Sequence, residues 1–179
     1  SLESVLKSIP TIFWNDKLVI DVLSVKKYPH KLLNKYLPKS SDILLTHPMF
    51  GPDSASESWV NKKFIYYPIK IKDNKRLSSF INFWKANKCN MIELSPDWHD
   101  QYAANTQFIT HLTGRLLNEL NLSSTKIDTD GFSSLLNLIN CTTNDSWDLF
   151  NGLFKYNISS AESLNKFQWA LSNINNKLQ

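Results

Sequence analysis

The pattern of apolar residues changes at Ser95, and this change constrains the fold more than any other feature of the sequence. Before Ser95, short apolar runs of the kind that forms buried strands alternate with segments of helical periodicity. After it, every apolar pattern has helical spacing. We therefore predict a truncated, Rossmann-type α/β domain over residues 1–95 and an all-helical dimerisation domain over residues 96–179.

The predicted strands of the first part are separated by predicted helices, which indicates a parallel or mixed sheet. The two most apolar runs, 18–23 and 42–46, are typical of strands that are buried on both faces. Two further strands are predicted over residues 63–72 and 90–94, and helices over 2–9, 31–37 and 77–88.

In the second part, the spacing predicts one long helix over 97–120 and shorter helices over 132–139 and 147–154. A final helix is predicted to begin with a capping box formed by Ser159 and Glu162. A seam of this helix packs either inside a monomer or across a helical dimer interface, and we expect a homodimer. The residues of the seam recur in steps of three and four: Leu164, Phe167, Leu171, Ile174 and Leu178.

Composition excludes several classes of protein. Hydrophobic residues make up 42% and charged residues 20% of the 179 residues, which is ordinary for a globular chain and excludes disorder. The net charge of +4 comes from scattered lysines and does not form a basic stripe for nucleic acid. No window approaches the roughly 18 apolar residues of a membrane span. Cys89 and Cys141 have neither zinc nor redox spacing, so we expect a reduced, cytoplasmic protein. The scattered charge and the short apolar windows predict no nucleic-acid and no membrane partner.

Two candidate site residues follow the two most apolar strands. Ligands of open α/β sheets bind beyond the carboxyl ends of strands, where Ser24 and His47 both lie. Ser24 could instead cap the helix that follows it. Pro48 biases His47 towards an extended backbone, and the turn at Gly51-Pro52 lies just beyond; a histidine so placed has the pKa range of a general base.

A polar stripe on the long predicted helix is the third candidate. Spacing places Asp100, Gln107, His111 and Arg115 on one helix face. A solvated stripe usually carries lysine and glutamate, so this one is more typical of a cleft wall. His111 has no second histidine one turn away, and we predict no metal site.

These stretches resemble the prephenate/arogenate dehydrogenase family in its plant arogenate form. The resemblance lies in DVLSVK at 21–26, THPMFGP at 46–52, and the segments 99–111 and 145–157. It implies a nucleotide-binding α/β domain, a helical dimerisation domain, and oxidation of arogenate or prephenate by NADP or NAD with loss of carbon dioxide. It also implies that His47 hydrogen-bonds the ring hydroxyl of the substrate with support from Ser24, and that His111 lines the substrate pocket.

The chain departs from this family at the expected cofactor site. Its four glycines, Gly51, Gly114, Gly131 and Gly152, are too far apart to form the glycine-rich turn that binds a dinucleotide. We therefore expect an N-terminally truncated member that binds no cofactor. The resemblance also sets Asp130 where plant members carry a basic residue, which favours a cationic or neutral ligand over a di-anion.

The favoured hypothesis is a cofactor-independent enzyme of plant specialised metabolism. Its acid–base chemistry would be a cyclisation, elimination or isomerisation of a small aromatic or amine-containing metabolite, with His47, Ser24 and His111 as catalytic residues. Two alternatives stay open: a non-catalytic regulatory partner of a full-length arogenate dehydrogenase, and a fragment of an NADP-dependent one. A plastid replaces the cytoplasm if a transit peptide has been removed. The predicted substrate-binding residues are Asp100, Gln107, Arg115, Met49, Trp59, Asp130 and Trp147.

Overall fold

A computed structural model describes residues 1–51 and 53–179. Pro52, part of the predicted turn, lies outside the described residues. The chain divides into two compact units, residues 1–99 and 100–179, with the division four residues beyond Ser95. Each unit is described separately below.

A four-stranded mixed sheet forms the centre of the first unit. Its strands are β1 (Leu18–Asp21), β2 (Asp42–Pro48), β3 (Lys63–Lys70) and β4 (Asn90–Glu93), in the order β1-β2-β3-β4. The pairs β1–β2 and β3–β4 are parallel, whereas β2 and β3 are antiparallel. This sheet, with helices between its strands and only helices described after it, confirms the predicted α/β and then helical fold class.

The helices of the first unit are α1 (Leu2–Ser8), α2 (Lys27–Tyr36) and α3 (Asn74–Ala86), and a fourth, α4 (Pro96–Asn105), begins in it. Helix α2 begins four residues earlier than predicted. Pro29 lies in its first turn, where a backbone N–H has no intrahelical acceptor and a proline is therefore tolerated. Short 3-10 turns over Thr11–Trp14 and Asp53–Ala55 were not predicted.

Strand β2 lies in the interior of the sheet, and this explains its unbroken apolar run. Ile43 and Leu45 are fully buried and pack with Leu6 of α1 and with Leu32 and Leu33 of α2. The burial continues past the apolar residues, through Thr46 and His47. Strand β2 thus carries a hydroxyl and an imidazole into the protein interior.

The single long helix predicted over 97–120 was wrong. The helix is interrupted at Thr106, which has φ −125° and ψ −78°, so that α4 ends at Asn105 and α5 covers Gln107–Asn118. The Thr106 hydroxyl donates to the carbonyl of Tyr102 at 2.7 Å. A side chain that bonds the preceding turn in this way competes with regular helix geometry, which periodicity alone does not reveal.

The second unit continues with α6 (Asp130–Thr143), α7 (Trp147–Lys155) and α8 (Ser159–Leu178). Helices α5 and α6 approach closely at Gly114. A Cβ atom at this position would lie 2.1 Å from Thr142 Oγ1 and 3.0 Å from the Leu138 carbonyl oxygen. Glycine is therefore required here for helix packing and not for a turn.

The predicted capping box at the start of α8 does not form. Ser159 lies inside the helix, and its backbone N–H donates to Asn157 Oδ1 at 3.0 Å. Glu162 instead pairs with Lys166 at 2.6 Å. An asparagine upstream therefore replaces the predicted serine as the side-chain acceptor.

The predicted seam of α8 is only partly covered within the unit. Leu164 and Phe167 are half-buried, whereas Leu171, Ile174 and Leu178 are exposed. Among the described residues, no helix is both long and apolar enough to cross a membrane.

Candidate functional site

A buried ion pair joins the carboxyl ends of β1 and β2. The ammonium of Lys26 bonds the carboxylate of Asp21 and donates to the backbone carbonyl of Thr46. The other carboxylate oxygen of Asp21 accepts the Thr46 N–H at 3.2 Å, and the Leu23 N–H is also bonded to this carboxylate, at 3.1 Å. We call Asp21, Lys26 and Thr46 the strand-end clamp.

Within the clamp, the positive charge of Lys26 is paired with the negative charge of Asp21. Lys26 is 1% exposed, and a buried ammonium needs a paired carboxylate to stay charged. Burial raises the pKa of Asp21, and the Lys26 ammonium together with the two backbone donors opposes that rise. The clamp fixes the loop that carries Ser24 to the strand that carries His47.

His47 and His99 form a hydrogen-bonded pair, which we call the histidine pair. His47 Nδ1 and His99 Nε2 lie 2.9 Å apart, and the two side chains belong to residues that are 4% and 3% exposed. Burial, and then the charges of His99 and Lys26, lower the pKa of His47 from 6.5 to about 3. His47 is therefore neutral at physiological pH, with Nε2 left as the ring nitrogen for a ligand.

Sequence reasoning assigned no role to His99. Its position near the start of a helix was predicted, but its contact with His47 joins residues 52 positions apart. No sequence signal linked the two residues, because His47 lies in the predicted α/β part and His99 in the predicted helical part.

The other predicted residues of the first unit lie in different surroundings. Ser24 is half-buried in the loop after β1 and does not cap α2, whose N-cap position is Lys26. Met49 is exposed directly after β2. Trp59 packs against α3, with ring centroids 4.9 Å from Trp84 and 6.3 Å from Phe83, and no described contact brings it to the histidine pair.

A second polar group, the α5 cluster, consists of Gln107, His111 and Arg115 on three successive turns of α5. Each residue has one buried polar atom without a hydrogen-bond partner among the described protein atoms: Gln107 Oε1, His111 Nδ1 and Arg115 Nε. An unpaired buried polar atom costs roughly 1–3 kcal/mol, so three in one stripe mark a place where a polar partner would be favourable.

Residues at the start of α7 and just before it contact His111 and Arg115 of the α5 cluster. His111 Nε2 lies 3.6 Å from a carboxylate oxygen of Asp145, and Arg115 donates to the Asp145 carbonyl at 2.6 Å. The Arg115 guanidinium lies over the rings of Trp147 and Phe150, 5.2 and 5.1 Å from their centroids. Burial lowers the pKa of His111, and the charge of Asp145 opposes that shift. The structure thus brings together four predicted residues, Gln107, His111, Arg115 and Trp147.

Two predicted acidic residues lie apart from the α5 cluster. Asp100 is on α4, beyond the break at Thr106, so the continuous helix that was predicted to join it to Arg115 does not form. It is buried, and its backbone carbonyl accepts from Asn157 Nδ2 at 2.7 Å. Asp130 is the exposed first residue of α6, where a carboxylate is favoured by the helix dipole.

The described residues do not form a cradle for the phosphates of a dinucleotide. The turn from β1 to α2 contains no glycine, and none of the glycines has a positive φ. Gly51 lies in open space, with no described atom within 4 Å of an added Cβ. Close approach of backbone N–H groups to a pyrophosphate needs such a glycine turn. Across residues 1–51 and 53–179, no three side chains of the metal-ligating types come together.

The fold defines a class: an α/β unit with a buried histidine at a strand end, followed by a helical unit. Residues 1–93 match the family model of the prephenate dehydrogenase nucleotide-binding domain, and residues 116–179 match that of the TYRAAT1-like C-terminal domain. The chain belongs to the prephenate/arogenate dehydrogenase family, as its motifs predicted.

Two curated relatives from Arabidopsis thaliana are similar over 99% of the chain. Arogenate dehydrogenase 2, chloroplastic, is 42% identical over 183 residues, and arogenate dehydrogenase 1, chloroplastic, is 43% identical. The chain spans only 51% and 29% of the lengths of these relatives.

Solved structures with low sequence identity support the fold. Synechocystis arogenate dehydrogenase matches with a TM-score of 0.63 at 18% identity, covering 99% of this chain and 67% of that one. Prephenate dehydrogenase from Aquifex aeolicus matches with a TM-score of 0.65 at 17% identity, covering 99% and 73%.

Proposed function

We propose that this chain binds a small aromatic or amine-containing metabolite and that His47 exchanges a proton with it without the help of a dinucleotide. The observation that carries this proposal is the buried, neutral imidazole of His47, which has Nδ1 engaged by His99. A neutral imidazole with one nitrogen held has the other nitrogen free to accept a hydrogen bond from a hydroxyl or amine.

Ser24 has a supporting role in this proposal. Its loop follows β1, and the strand-end clamp ties that loop to Thr46, the residue before His47. A hydroxyl held at this level can donate to, or accept from, the same ligand group that His47 contacts. Ser24 and His47 together would align this ligand group before its proton is transferred.

The α5 cluster is proposed as a ligand-binding group within the second unit. Arg115 Nε is a donor without an acceptor and Gln107 Oε1 an acceptor without a donor, so a ligand that offers one of each would satisfy both. The indole of Trp147, which is largely exposed, supplies an aromatic surface beside the guanidinium. A small molecule with both a carboxylate and an amine or hydroxyl has this chemistry.

A homodimer through the C-terminal helices is proposed from the exposed part of the α8 seam. Leu171, Ile174 and Leu178 are all more than half exposed and share a seam with Leu164 and Phe167. Burial of such residues releases about 25 cal/mol per Å² of apolar surface, which favours association of two copies. Ile174→Glu should shift the chain to a monomer in sedimentation velocity, whereas Lys177→Glu should not.

The setting of this activity follows from the relatives alone. Both Arabidopsis relatives are named as chloroplastic, so the plastid is the compartment to test first against the cytoplasm expected from the sequence. A role in plant specialised metabolism belongs to the same proposal.

A second candidate function is one part of an NADP-dependent arogenate dehydrogenase. The lengths of the relatives favour it, because the chain covers only 51% and 29% of them. In that case residues 1–93 would contribute the substrate side of the hydride-transfer site, and the phosphates of the cofactor would bind elsewhere.

Calorimetric titration of the purified chain with arogenate, tyramine, NADP and NAD separates these functions. Our proposal predicts binding of arogenate or tyramine, at least tenfold weaker in His47→Gln and unchanged in His30→Gln. Tight NADP binding would instead favour the dehydrogenase part. If neither arogenate nor tyramine bound to the native chain, the proposal would be wrong.

Turnover is tested by the NMR spectrum of arogenate incubated with the chain and no nucleotide. A spectral change faster than in buffer, absent with His47→Gln, is expected. Arogenate that binds but stays unchanged would reduce the proposal to a binding protein, which is the regulatory alternative.

A further inference from the structure

The histidine pair presents a problem of proton balance. Burial and the charges of His99 and Lys26 disfavour a second proton on His47, yet a base that removes a proton from a ligand becomes an imidazolium unless it passes a proton on. The one group bonded to its far nitrogen is another histidine, His99, at 2.9 Å. Imidazole is one of the few side chains that can both give and take a proton near neutral pH.

Two proton arrangements are possible for the contact between the rings. Either His47 Nδ1–H donates to His99 Nε2, or His99 Nε2–H donates to His47 Nδ1. In the first arrangement His47 Nε2 carries a lone pair and can act as a base. In the second, His47 Nε2 carries the proton and can act as an acid.

The charges around the pair disfavour an added proton on His47. Lys26 lies on the His47 side and is neutralised in part by Asp21, both within the strand-end clamp. The ammonium of Lys26 and the charge on His99 both lower the pKa of His47, as burial also does. An added proton on His47 is therefore disfavoured, and the ring bonded to His47 Nδ1, at 2.9 Å, is that of His99.

We propose that His99 is a positioning residue that relays the proton: as His47 Nε2 takes a proton from a ligand hydroxyl, His47 Nδ1–H passes its own proton to His99 Nε2. The ligand loses one proton and becomes an oxyanion, His47 changes tautomer and stays neutral, and His99 becomes the imidazolium. The reverse transfer restores the first arrangement. This inference rests on the proposed function for its ligand, but the relay itself is a property of the two rings.

The test is long-range ¹⁵N–¹H NMR of the imidazole rings in the native chain between pH 5 and 8. Four histidines make assignment tractable by single His→Gln variants. We expect His47 to change from the Nδ1–H to the Nε2–H tautomer with the same midpoint at which His99 becomes charged. In His99→Gln, which keeps a polar partner but cannot take a proton, the His47 tautomer should not change with pH. His30→Gln should leave the native behaviour intact.

Two results would overturn the relay. One is a His47 tautomer that stays constant while His99 titrates; the other is a tautomer change that persists in His99→Gln. Failure of the proposed function is distinguishable, because arogenate would then fail to bind while the coupled titration was still present. Intact circular dichroism of His99→Gln ensures that loss of the coupling is not loss of the fold.

Discussion

The histidine pair and the α5 cluster place an imidazole in the interior in two different ways. His47 is bonded at Nδ1 and lies beside a fully bonded clamp, whereas His111 is buried with Nδ1 unpaired and only a 3.6 Å contact to Asp145 at Nε2. A bonded ring keeps one orientation and leaves two proton arrangements across its hydrogen bond, which suits proton transfer. An unpaired ring retains capacity to bond a ligand, which suits recognition.

The largest expected effect comes from removing the charge balance of the strand-end clamp, which lies beside the histidine pair. Lys26→Met leaves the Asp21 carboxylate buried and unpaired, and we expect it to lower the free energy of unfolding by about 3–5 kcal/mol. Urea denaturation followed by tryptophan fluorescence measures this. The double variant Asp21→Asn/Lys26→Met should recover much of the loss, because it carries no uncompensated charge. A double variant no more stable than the single one would mean that the clamp acts through packing and not through charge.

The next largest effect comes from a change in the packing of α5, the helix that carries the α5 cluster, and leaves the histidine pair unchanged. Gly114→Ala puts a methyl group 2.1 Å from Thr142 Oγ1, so α5 and α6 must move apart. We expect a loss of about 1–3 kcal/mol in the free energy of unfolding, as for overpacked cores. Thr142→Ala should rescue part of it in a double-mutant cycle. Purely additive losses would contradict the close contact.

A pH series separates the contributions of His47 and His111, two of the three buried histidines. The pKa of folded His47 is about 3 and that of the unfolded residue 6.5, so protons favour the unfolded chain between these values. The stability from a neutral His47 is complete above pH 6.5 and falls by about 1.4 kcal/mol for each pH unit below it. Urea denaturation at pH 7.0, 6.0 and 5.0, compared with His47→Gln, isolates this contribution. A smaller difference is expected for His111→Gln, because Asp145 opposes the shift of the His111 pKa.

The smallest expected effect on stability distinguishes a ligand-binding role of the α5 cluster from a structural one. Gln107→Leu replaces a side chain that has an unpaired buried oxygen with an apolar one of similar size. We expect the free energy of unfolding to stay within about 1 kcal/mol of the native value, or to rise. Binding of arogenate should nevertheless weaken in calorimetry. Gln101→Leu, at an exposed position, is the matched control. Equal binding of arogenate by both variants would contradict a ligand-binding role for Gln107.

Much of the fold was accessible from the sequence. Strand β2 is a continuous apolar run because it is buried in the sheet, and the helices after Ser95 have apolar residues at regular spacing because each packs one face. The position after two apolar strands led to His47 and Ser24, and spacing led to Gln107, His111 and Arg115. The capping box at Ser159 failed because an upstream side chain, Asn157, took the acceptor role.

The sequence by itself determined the elements, their class and the family, because these depend on local periodicity and short motifs. Only the tertiary structure decided which polar groups meet. The partnership of His47 with His99, the burial of Lys26 on Asp21 and the break at Thr106 all depend on contacts or backbone geometry that periodicity does not encode. Hydrogen bonds between residues far apart in the chain form where folding excludes water, and that exclusion belongs to the packed structure as a whole.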